Sequence, residues 1–86
     1  RKIKLLAQRG IKIVVEVGKC YHHFKGNNYK VIAIAKDSET LEEVVVYQAL
    51  YGNGDIWVRK LSDFTSKVDK EKYPDVLQEY RFEEIK

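Results

Sequence analysis

Residues 43–61 read EVVVYQALYGNGDIWVRKL, and this stretch decides the fold class. Residues 43–51 are mostly β-branched and aromatic, a composition that favours a strand. Residues 52–55 form a turn signal whose Asn53-Gly54 pair is typical of a tight hairpin turn. Residues 56–61 then supply the returning strand. The sequence therefore predicts an antiparallel hairpin in the middle of the chain.

Further strands are predicted on both sides of this hairpin. Residues 11–17 place apolar side chains at every second position, which is the period of a half-buried strand. Residues 19–24 form another candidate, closed by a turn-forming stretch. Residues 29–36 are dominated by consecutive apolar residues, so we expect both faces of that strand to be covered. The last candidate spans about residues 79–85.

Two short helical segments are also predicted. Residues 1–9 carry Ile3, Leu6 and Ala7 at helical spacing, and Gly10 behind them suits a C-terminal helix cap. Residues 62–66 fit a single helical turn.

Short strands joined by brief turns leave no room for crossover helices. We therefore expect an all-β, mainly antiparallel fold, a small SH3-like barrel of five or six strands with a short N-terminal helix or strand extension. A chain of 86 residues is too short for two domains, so it is expected to be a single domain. Residues 1–17 would be the extension and residues 18–86 the barrel core.

The composition narrows the functional classes. Hydrophobic residues make up 44% of the chain and charged residues 34%, which is typical of a globular domain and too apolar for disorder. A single cysteine, Cys20, excludes an internal disulfide and a cysteine-based zinc site. We predict no metal and no cofactor. The apolar runs are short and no secretory leader opens the chain, so we expect no membrane contact and a cytoplasmic location.

The charge is divided unevenly along the chain. Residues 1–36 hold nine Lys or Arg against one acid, whereas residues 37–86 hold seven against twelve. This asymmetry fits either a basic face that binds an anionic ligand or two halves that attract each other across one barrel.

The aromatic residues are the strongest indication of a binding site. Tyr47 and Tyr51 share one face of their strand, and Trp57 and Arg59 share one face of the next. If these faces coincide, rings for stacking lie beside a guanidinium for an anion, as in sites for nucleotides or single strands. In the alternative, Trp57 belongs to the core and Arg59 pairs with an acid such as Glu39 or Glu43.

A second group of candidates is polar. His22 and His23 point to opposite faces of a strand, and His23 shares its face with Tyr21. His23 is a candidate for ligand contact or proton transfer, against the alternative of a structural hydrogen bond at the barrel rim. Glu39 and Thr40 lie in a polar turn, where they either read the edge of a base or sugar or bond their own backbone.

Several motifs of residues 18–84 point to a known family. They include YHHFKG at 21–26, VVY at 45–47, WVR at 57–59 and EYRF at 79–82. In these motifs the chain resembles a family of small bacterial and phage proteins catalogued as domain of unknown function 1653. The resemblance implies a small β fold and carries no established activity. Asp37, Lys60 and Asp63 depart from the family pattern, in which histidine, proline and methionine are common at these positions.

The leading hypothesis is a non-catalytic module that binds a nucleotide-like ligand or a short single-stranded nucleic-acid element. Its predicted ligand-binding residues are Tyr21, His23, Glu39, Thr40, Tyr47, Tyr51, Trp57 and Arg59. The alternatives are a protein-interaction module for a peptide or basic partner, and a small enzyme with His23 and Glu39 as acid and base. The strand edges of a small open barrel also fit a homodimer.

Overall fold

Two antiparallel sheets carry the fold. The computed structural model describes residues 2–6 and 12–86. In the smaller sheet, β1 (Lys2–Leu6) pairs with β2 (Lys12–Glu16). The larger sheet has the strand order β6-β5-β4-β3-β7. Its strands are β3 (Cys20–His23), β4 (Asn28–Lys36), β5 (Glu43–Ala49), β6 (Ile56–Lys60) and β7 (Phe82–Glu84), and one helical turn, α1 (Leu61–Phe64), follows β6.

The predicted all-β, antiparallel class is confirmed, because every strand pairing in the two sheets is antiparallel. Within residues 2–6 and 12–86, β6 pairs only with β5 and β7 only with β3. Closure into an SH3-like barrel and the single-domain organisation stay predictions. None of the helices in the described part of the chain has the length and apolar character needed to cross a membrane.

The predicted N-terminal helix is wrong over residues 2–6, which form β1. Ile3 lies opposite Val15 and Leu5 opposite Ile13, so this segment pairs with the alternating strand that follows it. A nine-residue helix is marginal in water, whereas strand pairing satisfies the backbone groups of both segments at once. The proposed cap at Gly10 falls outside the described residues.

The central hairpin forms as predicted, but its turn is longer than the Asn-Gly pair suggests. β5 ends at Ala49 and β6 begins at Ile56. Gly52 and Gly54 have φ values of 58° and 70°, a left-handed conformation that glycine adopts without a steric penalty. The two positive-φ glycines let the chain reverse over a wider loop, and the Gln48 side chain donates a hydrogen bond to the Gly54 carbonyl oxygen at 3.0 Å.

The core lies on one face of the five-stranded sheet. Val31, Val45 and Tyr47 are buried there against α1, and Phe64 of α1 is only 2% exposed. The expectation that both faces of β4 are covered is wrong, because Ile32 on β4 is 38% exposed. The register shifts between Val31 and Ala33, and this bulge leaves Ile32 outside the regular ladder.

Candidate functional site

The register of β5 and β6 brings the aromatic residues onto one face. Tyr47 lies opposite Trp57, and Val45 lies opposite Arg59. Residues directly opposite each other in an antiparallel pair project from the same side of the sheet. The two faces left open by the sequence therefore coincide. The residues on this shared face are not equally accessible to solvent, because Tyr47 is 5% exposed whereas Trp57 is 48% exposed.

The buried part of this face is an aromatic floor, defined by His23, Tyr47, Phe64 and Phe82. Each of the four side chains is less than one-tenth exposed. The Phe64 and Phe82 rings stack in parallel with centroids 4.0 Å apart, and His23 meets Phe82 edge to face at 4.8 Å. The floor is thus a packed cluster of rings, and its residues contribute chiefly to stability.

Above the floor lies an aromatic rim, defined by Tyr29, Tyr51, Trp57 and Arg59. Tyr51 is 45% exposed, and its hydroxyl lies 2.8 Å from that of Tyr29. The Tyr29 ring in turn contacts Tyr47 of the floor, with centroids 5.3 Å apart. Burial and the hydrogen bond with Tyr51 raise the pKa of Tyr29 to about 12, so its phenol is neutral near pH 7. The Tyr29 ring is therefore an uncharged part of the rim.

Arg59 is held in place by two side chains. Its Nε donates a hydrogen bond to the Tyr47 hydroxyl at 3.2 Å, and its Nη1 donates to Asp63 Oδ2 at 2.6 Å. Asp63 Oδ1 also lies 3.6 Å from Nη2 of Arg81. The acid beside Arg59 is thus Asp63, which the sequence analysis missed although Arg59 and Asp63 stand four residues apart across β6 and α1.

His23 lies within the floor with its ring fixed. Its Nδ1 accepts a hydrogen bond from the backbone N–H of Lys25 at 3.1 Å, and its ring stacks on Phe24 at 4.6 Å. Burial, together with the positive charges of Arg59, Arg81 and Lys25, lowers its pKa to about 4. The imidazole is therefore neutral near pH 7, and the geometry suits a packing role.

Three other predicted site residues lie away from the rim. Tyr21 is 3% exposed in the core, where its hydroxyl accepts a hydrogen bond from the backbone N–H of Glu16 at 2.9 Å. Glu39 and Thr40 are in the β4–β5 loop, and their backbone N–H groups donate to Asp37 Oδ1. β4 separates this loop from Tyr29 by about 25 Å, at roughly 3.4 Å per residue. The structure does not bring Glu39 near His23.

A further group of residues forms a cationic pocket that the sequence analysis missed. The pocket has a volume of about 290 Å³ and is lined by Phe24, Lys25, Asp69, Lys72, Tyr73 and Arg81. These residues come from three separate segments of the chain. Phe24 and Lys25 lie in the YHHFKG motif and Arg81 in the EYRF motif, but neither motif indicates that these residues meet.

Comparison with known proteins gives one match. A family model described as "Protein of unknown function (DUF1653)" matches residues 19–84. A search of curated proteins and a search of solved structures each returned no match. The matched residues span β3 to β7 and include the floor, the rim and the cationic pocket. The chain therefore belongs to the family of proteins of unknown function designated DUF1653.

Proposed function

We propose that this protein is a non-catalytic binding module that holds the flat ring of a nucleotide-like ligand, or a base of a short nucleic-acid element, against the aromatic rim. The observation that carries the proposal is the exposure of Trp57 and Tyr51, at 48% and 45%, around a buried aromatic floor. Large exposed rings on a rigid support provide stacking area at little cost in conformational entropy.

The expected affinity follows from the contacts available. Stacking contributes about 1–3 kcal/mol for a single base. A micromolar dissociation constant requires about 8 kcal/mol, so polar contacts must supply the remainder. Arg59 has N–H groups beyond the two that bond Tyr47 and Asp63, and the Tyr51 hydroxyl is a further polar group at the rim.

The assignment as non-catalytic rests on the positions of the two candidate acid–base groups. His23 is buried, and its pKa of about 4 leaves it unprotonated at neutral pH. Glu39 stands in the loop at the far end of β4. An acid–base pair must reach a common substrate at hydrogen-bond distance, and this pair is separated by the length of a strand.

Trp57 is the single tryptophan of the chain and provides a direct reporter for the rim. We expect adenosine or guanosine to quench its fluorescence with a saturable dose dependence, after correction with free N-acetyltryptophanamide. Tyr51→Ala should weaken this binding about fivefold or more, given the energy of one stacking contact. Val58→Ala, on the opposite face of β6, is the matched control and should leave the affinity unchanged.

Quenching that never saturates, or that is equal in the Tyr51→Ala variant and the unmodified protein, would contradict the proposal. Circular dichroism of each variant separates a lost contact from a lost fold. Trp57→Phe, which keeps a ring at the position, should retain part of the affinity when binding is followed by calorimetry.

A second candidate function has support from the sheet edge. Ile56 and Val58 on β6 are 59% and 64% exposed, and within the described residues β6 pairs only with β5. An exposed edge strand of this kind can accept an extended peptide or a second copy of the chain as an added strand. Val58→Lys should abolish such pairing, as measured by sedimentation or peptide binding, while leaving nucleoside quenching intact.

A further inference from the structure

The cationic pocket carries more positive charge than its own carboxylate neutralises. Lys25, Lys72 and Arg81 line the pocket together with a single acid, Asp69. Asp69 Oδ1 already accepts hydrogen bonds from the backbone N–H groups of Glu71 and Lys72, at 3.0 and 3.3 Å. The carboxylate of Asp69 therefore holds a turn of the chain as well as adding one negative charge.

The two lysines are positioned by aromatic rings. Lys25 Nζ lies 5.5 Å from the centroid of the Tyr73 ring and 5.9 Å from that of Phe24, and Lys72 Nζ lies 5.5 Å from Tyr73. Within residues 2–6 and 12–86, neither lysine forms an ion pair with a carboxylate. A cation–π contact fixes an ammonium group without neutralising its charge.

The pKa of the Tyr73 hydroxyl is lowered by this positive environment. A hydrogen bond from Lys25 and the charges of Lys25 and Lys72 lower the pKa of its hydroxyl, because they stabilise the phenolate. Arg81, the third cation, approaches Phe24 with 5.9 Å between its guanidinium carbon and the ring centroid. Its Nε donates to the Ser66 hydroxyl at 3.1 Å, which orients the guanidinium.

The walls of the pocket are tied to the sheet. The Phe24 backbone N–H donates to the Arg81 carbonyl oxygen at 3.0 Å, which joins the segment after β3 to the segment before β7. Lys70 Nζ donates to the carbonyl oxygens of Val76 and Gln78. The Gln78 side chain in turn donates to the His22 carbonyl oxygen at 2.9 Å. These bonds join the backbone segments that carry Lys25, Lys72 and Arg81, while the side chains of the two lysines are exposed.

We propose that the cationic pocket binds the phosphoryl group of a small phosphomonoester, with Lys25, Lys72 and Arg81 as the anion ligands and the Phe24 and Tyr73 rings against the organic part. Two lysines without a carboxylate partner in the described part of the chain, together with Arg81, whose Nη2 also lies 3.6 Å from Asp63 Oδ1, offer several donors to the acceptor oxygens of a phosphoryl group. A volume of about 290 Å³ is at the lower end for ligand sites, which favours a sugar phosphate over a dinucleotide. This proposal does not rest on ring binding at the aromatic rim.

Ribose 5-phosphate, inorganic phosphate and unphosphorylated ribose are suitable probes, titrated in a phosphate-free buffer into the isotope-labelled 86-residue chain. We expect ribose 5-phosphate and inorganic phosphate to shift the amide signals of Lys25, Lys72, Tyr73 and Arg81 saturably, and ribose to leave them unchanged. Tighter binding of ribose 5-phosphate would identify a phosphomonoester, and equal binding would identify free phosphate as the ligand. Added sodium chloride should weaken both titrations.

Lys25→Ala and Lys72→Ala should each weaken ribose 5-phosphate binding about tenfold, the factor for loss of one charge-assisted hydrogen bond. Lys30→Ala, which removes an exposed lysine of β4, is the matched control and should bind as the unmodified protein does. At Arg81 the variant of choice is Arg81→Lys, which keeps the positive charge. Truncation to alanine would disturb the contacts of Arg81 with Ser66 and Asp63.

Absence of saturable shifts, or unchanged affinity in both folded lysine variants, would overturn the proposal. Shifts from ribose 5-phosphate that fall at Trp57 and Arg59 would also overturn it and assign the phosphate to the rim. Adenosine carries no phosphate, so its effect on Trp57 fluorescence reports on the rim separately.

Discussion

The aromatic rim and the cationic pocket use the same kinds of residue in opposite ways. At the rim, the rings of Trp57 and Tyr51 face the solvent, and the one cation, Arg59, is bonded to Asp63 at 2.6 Å. In the pocket, the lysines lack a carboxylate partner among the described residues, and the Nζ atom of each lies 5.5 Å from the centroid of the Tyr73 ring. Whether a ring or a charge is available to a ligand is decided by what each side chain already contacts.

This difference separates two ligand chemistries. A surface of exposed rings with a neutralised cation favours an uncharged flat group, whereas unneutralised cations favour an anion. Both regions flank His23, whose ring contacts Phe24 on the side of the pocket and Phe82 on the side of the floor. Substitutions of Tyr51, Lys25 or Lys72 each act on one region, whereas Asp63 contacts both Arg59 of the rim and Arg81 of the pocket.

The largest effect is expected for Phe64→Ala in the floor. Phe64 is 2% exposed and stacks on Phe82 at 4.0 Å, so truncation should cost about 3–5 kcal/mol of unfolding free energy. That is much of the stability of a domain of this size. Urea unfolding followed by circular dichroism measures the loss, with Leu77→Ala, at a 99% exposed position, as the control. A loss below about 1 kcal/mol would contradict the assignment of the floor to the core.

An effect of intermediate size is expected from the titration of His23. Its pKa is lowered from 6.5 to about 4 in the folded state, so the unfolded state binds the proton more tightly. Stability should therefore be full above pH 6.5 and decrease as the pH falls towards 4, by on the order of 2 kcal/mol at pH 4.5. His23→Asn, which keeps an acceptor for the Lys25 N–H, should reduce this pH dependence. An unchanged profile in a folded variant would show that other groups cause it.

The smallest effect on stability is expected for Asp63→Asn. The ion pair that Asp63 forms with Arg59 is partly exposed, so its loss should cost about 0.5–1 kcal/mol. The substitution removes the carboxylate from both Arg59 and Arg81, and at the rim it should convert Arg59 into a weak anion site. Inorganic phosphate should then shift the Arg59 signals, which it should not do in the unmodified protein. Silent Arg59 signals in the variant would show that Asp63 does not control the charge of the rim.

The fold could be predicted where local patterns and tertiary structure agree. The β-branched run of β5 and the turn signal that follows predict the central hairpin, and both elements depend on nearby residues. The helix prediction was wrong over residues 2–6, because these residues pair with β2. The periodicity of a single segment does not reveal such pairing with another segment. The prediction that both faces of β4 are covered was wrong at Ile32 for a related reason, because the bulge there depends on pairing with the neighbouring strand.

The candidate site could be predicted only in part. Sequence reasoning identified Tyr51, Trp57 and Arg59 as a group, but the side on which they meet depends on strand register. It also placed Glu39 and Thr40 in the same site, although they lie at the far end of β4. The cationic pocket was missed because it joins Lys25, Lys72 and Arg81, which are remote in sequence, and the motifs around Lys25 and Arg81 do not indicate that these residues meet.

A paired titration tests the separation of rim and pocket most directly. Isotope-labelled protein is titrated with adenosine and, in a second sample, with inorganic phosphate, while the indole N–H of Trp57 and all backbone amides are recorded. Adenosine should shift the signals of Trp57, Tyr51 and Arg59, and phosphate should shift those of Lys25, Lys72 and Tyr73. Adenosine that leaves the rim signals in place, or both probes acting on the same residues, would contradict this separation.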